Sequence, residues 1–224
     1  MLYSNSNIKV LVPLRGGSKG IKKKNLKYFL DKPLCFWVIQ AALEINLKVY
    51  ISTENKEIKE KVKNAYPKVI IQNRPNEFAS DNSSTEDVIN FFIEGNKCDH
   101  IILLQATSPL TTSKNISSAL DLYFEKGCKP LLSGTRQHIF AWSNDGNPMN
   151  YNPNKRPRRQ DWEGTFIENG AIYIFKAKDF LKVKSRCKVP CTLFEMDYLN
   201  SFELDSKSDW HLLEYLVKNK YSSK

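Results

Sequence analysis

The run Arg15-Gly-Gly-Ser-Lys-Gly-Ile-Lys-Lys-Lys-Asn25 joins two adjacent glycines to five cationic side chains. Adjacent glycines let the backbone come close to a ligand and turn its N–H groups inward. Arg15, Lys19 and Lys24 add cationic heads that suit phosphate oxygens. The run is not a Walker A loop, because no Gly-Lys-Ser/Thr closes it, and it does not carry the GxGxxG spacing of a dinucleotide site. A solvated lysine-rich turn is the plain alternative; the glycine pair at the end of an apolar run favours phosphate binding.

Four further clusters could do chemistry. Arg74-Pro75 and the polar segment Ser80–Thr85, which holds Ser83 and Thr85, precede a helical pattern. Such hydroxyls commonly cap a helix, and the same groups could grip a base or a ribose. Gln105-Ala-Thr-Ser-Pro109 leaves a strongly apolar run, where a glutamine can offer its amide to a nucleobase edge or simply end a strand. Lys155-Arg-Pro-Arg-Arg159 packs four positive charges into five residues. The plain reading is a solvated face; a nucleic-acid or nuclear-import patch is a second, and a clamp for carboxylate and phosphate a third. Glu203 and Asp205 flank Leu204, so on a strand both carboxylates share a face and could hold Mg²⁺ through hard oxygens; a solvated acidic edge is the commoner meaning of that pattern.

The elements that must position these groups alternate. Ile8–Leu14 reads as a buried strand ending in the glycine loop, and Pro33 opens a helical stretch. Lys48–Thr53 is a second strand, followed by a charged helix over Asn55–Ala65 with Ile58 and Val62 on one face. Val69–Ile71 is a third strand, the segment after Thr85 a helix, His100–Gln105 a fourth strand and Asn115–Glu125 a helix. Regularity breaks between Arg136 and Gly164, where prolines and asparagines surround the basic run. That stretch is too long for an ordinary connection. Ala171–Phe175 resumes as a strand, then Phe194–Met196, the turn at Asp205 and a last helix from Asp209 to Lys218. This alternation predicts an α/β fold with a mostly parallel sheet. Functional loops in such sheets lie beyond the C-terminal strand ends, where Arg15–Asn25 and Ala106–Pro109 fall.

Composition bounds the rest. The 224 residues carry 34 Lys and Arg against 24 Asp and Glu, a formal net charge of +10, with 41% hydrophobic and 12% aromatic residues. That is enough apolar material for a core and one sizeable α/β domain. The charge suits either nucleic acid or polyanionic small substrates. No apolar run approaches the roughly 18 to 20 residues of a membrane helix, and the N-terminus lacks the features of a signal peptide. A cytoplasmic protein is expected. Five scattered cysteines with no CxxC pair argue against a disulfide scaffold and a structural zinc site.

Taken together the motifs resemble the CMP-sialic acid synthetases, the N-acylneuraminate cytidylyltransferases. The matching segments are PLRGGSKGIKKKNL (Pro13–Leu26), KPLCFWVIQAAL (Lys32–Leu43), STENKEI (Ser52–Ile58), LLQATSP (Leu103–Pro109), NPNKRPRRQDWEG (Asn152–Gly164) and ENGAIYIF (Glu168–Phe175). The KRPRRQDW run is similar to the animal-type branch and its bacterial relatives. The resemblance implies a Rossmann-like three-layer nucleotidyltransferase fold, one domain over residues 1–224, with residues 136–165 an inserted arm at a homodimer interface. It implies that Arg15, Ser18 and Lys19 meet the phosphates of CTP, with Lys24 neutralising charge there. Asn25, Arg74, Ser83, Thr85 and Gln105 would hold the cytidine. Gln105, Arg158 and Arg159 would act at the sugar end, Arg158 reaching across the dimer. Asp205 would be the Mg²⁺ ligand, with Glu203 standing where the family's Asp-x-Asp has its first aspartate, one methylene longer.

The implied reaction is attack of a sialic acid's anomeric hydroxyl on the α-phosphorus of CTP, giving CMP-sialic acid and pyrophosphate. A triphosphate and a sugar carboxylate bring together about five negative charges, and the basic loops would offset their repulsion. A related nonulosonic acid (legionaminate, pseudaminate or the deaminated sialic acid) is the nearest alternative substrate. A basic nucleic-acid-binding protein is the remote alternative; on the enzyme reading neither nucleic acid nor membrane is a partner.

Overall fold

The computed structural model describes residues 6–18 and 20–222. Its centre is a seven-stranded sheet, and the strands arise where β-branched and aliphatic residues run together. In chain order they are β1 (Ile8–Pro13), the hairpin β2 (Tyr28–Phe29) and β3 (Lys32–Pro33), β4 (Lys48–Thr53), β5 (Ile70–Asn73), β6 (His100–Leu104), β7 (Leu131–Gln137), β8 (Thr165–Lys176) and β9 (Thr192–Glu195). The helices are α1 (Leu34–Glu44), α2 (Lys56–Ala65), α3 (Thr85–Gly95), α4 (Ser113–Glu125), α5 (Ala177–Val183) and α6 (Lys207–Ser222). The main sheet runs β5-β4-β1-β6-β8-β7-β9, with β2 and β3 forming a separate pair. β5, β4, β1 and β6 are parallel neighbours, as are β7 and β9; β8 runs antiparallel to both β6 and β7. The sheet is therefore mostly parallel, as the alternation of elements requires.

Apolar runs without polar alternation mean burial on both faces, and the packing bears this out. Val10 and Val12 of β1 and Ile102 and Leu104 of β6 enter the core beneath α1, α2 and α4. Leu11, Ile101 and Leu103, one residue out of phase, enter the core on the other face with Ile89 and Phe92 of α3 and Phe180 of α5. A third, smaller cluster joins Ile21, Phe29 and Leu34 to Leu204, Trp210, Leu213 and Val217.

The β2–β3 hairpin, β7 and α5 go beyond the sequence reading. β7 occupies Leu131–Gln137, and α5 follows β8 directly. β7 reaches Gln137 and β8 begins at Thr165, so Arg136 and Thr165 belong to strands and the irregular arm is residues 138–164. The Glu203–Asp205 segment is not a strand; its extended backbone is pinned by the Leu204 N–H donating to the Thr107 carbonyl at 2.7 Å.

Candidate active site

From β1 the chain moves outward through α1 to β4 and then β5; it later returns to place β6 on the other side of β1. The direction of winding reverses between β1 and β6, and open α/β sheets bind ligands in the crevice beyond the strand ends at such a point. A cavity of about 350 Å³ lies there. Pro13, Arg15, Gly17 and Ser18 come from the end of β1, and Gln105, Ala106 and Thr107 from the end of β6. The remaining wall is Lys24, Asn25, Arg74, Phe78 and the polar segment leading into α3.

Eight of the sequence-selected residues thus share one cavity: Arg15, Ser18, Lys24, Asn25, Arg74, Ser83, Thr85 and Gln105. Lys19 lies outside the described residues. Ser84 is the N-cap of α3, with Asp87 completing a capping box, so one hydroxyl of the cluster caps while Ser83 and Thr85 beside it face the cavity. Arg15 donates to Asp81 Oδ1 at 3.0 Å, and the Asn25 amide donates to the Arg15 carbonyl at 2.9 Å. Lys24 Nζ lies 2.9 Å from Asp205 Oδ1 and 3.1 Å from the Leu204 carbonyl.

Glu54, which the sequence reading passed over, braces this arrangement. One carboxylate oxygen accepts the Gly16 N–H at 2.5 Å and the other accepts from Arg74 at 2.8 Å. The Arg74 side chain is only 3% exposed. Burial pushes the Glu54 carboxyl up, but the bonds from Arg74 and Gly16 outweigh it and leave the group below the usual carboxylate range. A Cβ on Gly16 would lie 2.3 Å from the Asn55 amide nitrogen, so the loop and the start of α2 touch as only glycine permits. A glutamate directly after a strand, twenty residues before an arginine, is the signal that could have marked the pair.

Glu203 and Asp205 point into different surroundings. Glu203 lines a second cavity of about 170 Å³ with Thr135, Gln137, Glu168, Asn169 and Tyr198. It accepts from Thr107 Oγ1 at 3.1 Å, and Thr107 also lines the first cavity. Burial, together with the nearby charge of Asp205, raises the Glu203 carboxyl above its ordinary range. Asp205 is exposed and paired with Lys24. The two carboxylates repel each other, and Asp205 already carries a lysine ammonium; carboxylate oxygens are the donor type a hard divalent cation takes beside phosphate oxygens. A Cβ on Gly170 would stand 3.3 Å from Glu203 Oε1, so the bare glycine leaves this carboxylate room.

The basic run takes a different place. Arg156 lies 4.1 Å from the centroid of Phe140, which stacks on Trp162 at 4.9 Å; this arginine is part of the arm's own packing. Arg158 and Arg159 are exposed on the arm and line neither cavity. All five cysteines are free. Burial pushes Cys35 up to about 12 and Cys98 and Cys187 up to about 11, which keeps these thiols protonated and poor nucleophiles. Among the described residues no helix is long and apolar enough to cross a membrane.

The chain is 36% identical over 221 residues to N-acylneuraminate cytidylyltransferase A of Danio rerio, covering 94% of this chain and 51% of the relative. It is 27% identical over 218 residues to N-acylneuraminate cytidylyltransferase of Streptococcus agalactiae, covering 92% of this chain and 52% of that protein. The chain therefore spans about half the length of these curated relatives. The fold is similar to a solved CMP:2-keto-3-deoxy-manno-octonic acid synthetase complexed with CTP, with a TM-score of 0.69 at 15% identity over 96% of this chain and 100% of that one. The Cytidylyltransferase family model matches residues 9–223, and the chain belongs to that family.

Proposed function

We propose that this chain transfers CMP from CTP to the anomeric hydroxyl of a sialic acid, giving CMP-sialic acid and pyrophosphate. The observation that carries the reading is the convergence of eight separately selected nucleotide-site residues on the cavity at the β1/β6 switch point. The names of the curated relatives support the choice of sialic acid as acceptor.

In this reading the triphosphate lies along the glycine loop, with Arg15, Ser18 and Lys19 on its oxygens and Lys24 at its edge. The cytidine is held by Asn25, Arg74, Ser83, Thr85 and Gln105. Phosphoryl transfer needs mainly alignment and electrostatic stabilisation, and cationic side chains fixed beforehand supply both. The acceptor enters from the second cavity, so that Gln105 and Thr107 stand between the two substrates. Asp205 and Glu203 would hold Mg²⁺, which takes up charge on the triphosphate oxygens. Lys24, which lines the nucleotide cavity, pairs with Asp205. Arg158 and Arg159 meet the sugar–phosphate end from a second subunit of a cytoplasmic homodimer, the arm being the interface. Their exposure on the arm, outside their own chain's cavities, supports action in trans.

The test is pyrophosphate release from CTP and Mg²⁺ with a panel of nonulosonic acids. N-acetylneuraminate is the expected best acceptor. Faster turnover with legionaminate, pseudaminate or the deaminated sialic acid moves the reading to that substrate. No turnover with any of them, together with DNA or RNA binding that falls steeply with salt, replaces it by the basic nucleic-acid binder.

A further inference from the structure

A line of contacts beside the second cavity takes no part in the chemistry above. Its centre is Arg186, in the segment between α5 and β9. The guanidinium donates to Glu86 Oε1 at 2.7 Å, and Glu86 stands in the first turn of α3. Its carbon lies 4.6 Å from the centroid of the Tyr173 ring, so the cation rests against the aromatic face. The Tyr173 hydroxyl donates to Glu168 Oε1. Tyr173 is 2% exposed and the Arg186 side chain 20%.

The contact of Tyr173 with Glu168 needs a break in the strand. The two residues are five apart on β8, and plain alternation would send them to opposite faces. The pairing of β7 with β8 shifts between Leu132, which faces Tyr173, and Gly134, which faces Glu168. Gly170, at a φ of +69°, supplies the turn in the bulge. The bulge therefore brings Glu168 round to Tyr173 at the wall of the second cavity.

Arg186 joins two residues that stand next to the cavities, Glu86 and Tyr173. Glu168 lines the second cavity with Glu203, and Glu86 directly follows Thr85, which lines the first. A planar guanidinium can lie flat on a ring while its edge meets a carboxylate, which an ammonium cannot do. We propose that Arg186 is a positioning residue that sets Tyr173 and Glu168 for the second substrate, holding the sugar-facing wall against the nucleotide-facing helix. This rests on the functional reading above.

The experiment compares wild type, R186A, R186K, Y173F and R186A/Y173F by steady-state kinetics with CTP and N-acetylneuraminate, alongside calorimetric CTP binding. R186A is expected to raise the KM for the sugar acid about tenfold or more, with kcat within about threefold and the CTP Kd within about twofold. R186K keeps the charge and the pair with Glu86, so it folds where R186A is unstable; it is expected to raise that KM about threefold or more. Y173F raises the KM in the parent but adds less than about twofold in the R186A background, because the ring that carries the hydroxyl has already lost the guanidinium against it. An unchanged sugar-acid KM in active R186A and R186K, a loss shared equally by CTP affinity, or independent effects of the two substitutions overturns the assignment alone. A wild-type chain that binds CTP and releases no pyrophosphate with any nonulosonic acid overturns the functional reading and this inference with it.

Discussion

Glu54 and Arg74 form a 2.8 Å ion pair at the back of the nucleotide cavity, and the second oxygen of the same carboxylate holds the Gly16 N–H. One side chain thereby fixes both the loop that follows β1 and the arginine that follows β5. Removing one partner of a buried pair leaves the other charge uncompensated, typically at a cost of about 3 to 5 kcal/mol. Arg74→Ala should lower the unfolding free energy by that order in urea titrations and weaken CTP binding. Equal stability of variant and parent would mean that the pair is dispensable.

The same carboxylate makes stability depend on pH with a definite sign. Its folded pKa lies below its ordinary value, so its contribution is present above the unfolded carboxylate range, near pH 4.5, and is lost as pH falls through the folded value. His100 acts in the same direction from a higher pH. Burial lowers its pKa from 6.5, while its ring bonds the Tyr123 hydroxyl at 2.9 Å. Below about pH 6.5 the unfolded chain takes up a proton there that the folded chain resists, so stability declines. Melting temperature measured from about pH 8 to about pH 2 should fall in two stages, and His100→Gln should flatten the first. A flat profile between pH 7 and pH 5 in the parent would contradict the assignment for His100.

Arg15 projects into the cavity from the end of β1 and is partly exposed, so its loss should leave the fold intact. Arg15→Ala is expected to reduce turnover by about two to three orders of magnitude, as removal of a preorganised charge does at other sites of charge development. Mixing it with an inactive Arg158→Ala chain should restore part of the activity if the arm serves the neighbouring subunit. Near-normal turnover in Arg15→Ala removes it from the mechanism, and absence of rescue in subunits shown to exchange places Arg158 in its own chain's site.

Asp205→Asn keeps the shape of the side chain and removes its charge. Activity should then need more Mg²⁺, about tenfold or more for half-saturation, while Glu203→Gln tests the half-buried partner in the same assay. Coincident magnesium titrations for both variants and the parent would remove the pair from metal binding.

Much of this fold can be read from the chain because its strands are buried on both faces. β1, β4 and β6 are apolar runs with no alternative, and β4 begins and ends where the pattern does, at Lys48 and Thr53. β7 was illegible for a physical reason. Ser133 and Thr135 are buried polar residues around a glycine, and Ser133 is satisfied by Asn169 at 2.7 Å and by the Ile172 N–H at 2.8 Å. Polar residues that find partners only across the sheet carry no periodic signal. The amino-terminal half of β8 was missed likewise, because the bulge at Gly170 breaks its alternation. At the site, the cationic glycine loop and the glutamine after β6 announced themselves by type and position. Arg186 did not, since it acts through a partner 100 positions away that only the folded chain reveals, and Glu54 offered only its place directly after β4, its partner lying 20 positions on.

The third hydrophobic cluster gives the glycine loop a floor drawn from a distant part of the sequence. Ile21, Phe29 and Leu34 rest on Leu204, Trp210 and Leu213, and Lys24 reaches the Leu204 carbonyl across 180 positions of sequence. Among the described residues α6 supplies none to either cavity, yet the anion-binding segment leans on it. Loosening that helix would therefore unseat the loop while leaving β1 paired with β4 and β6.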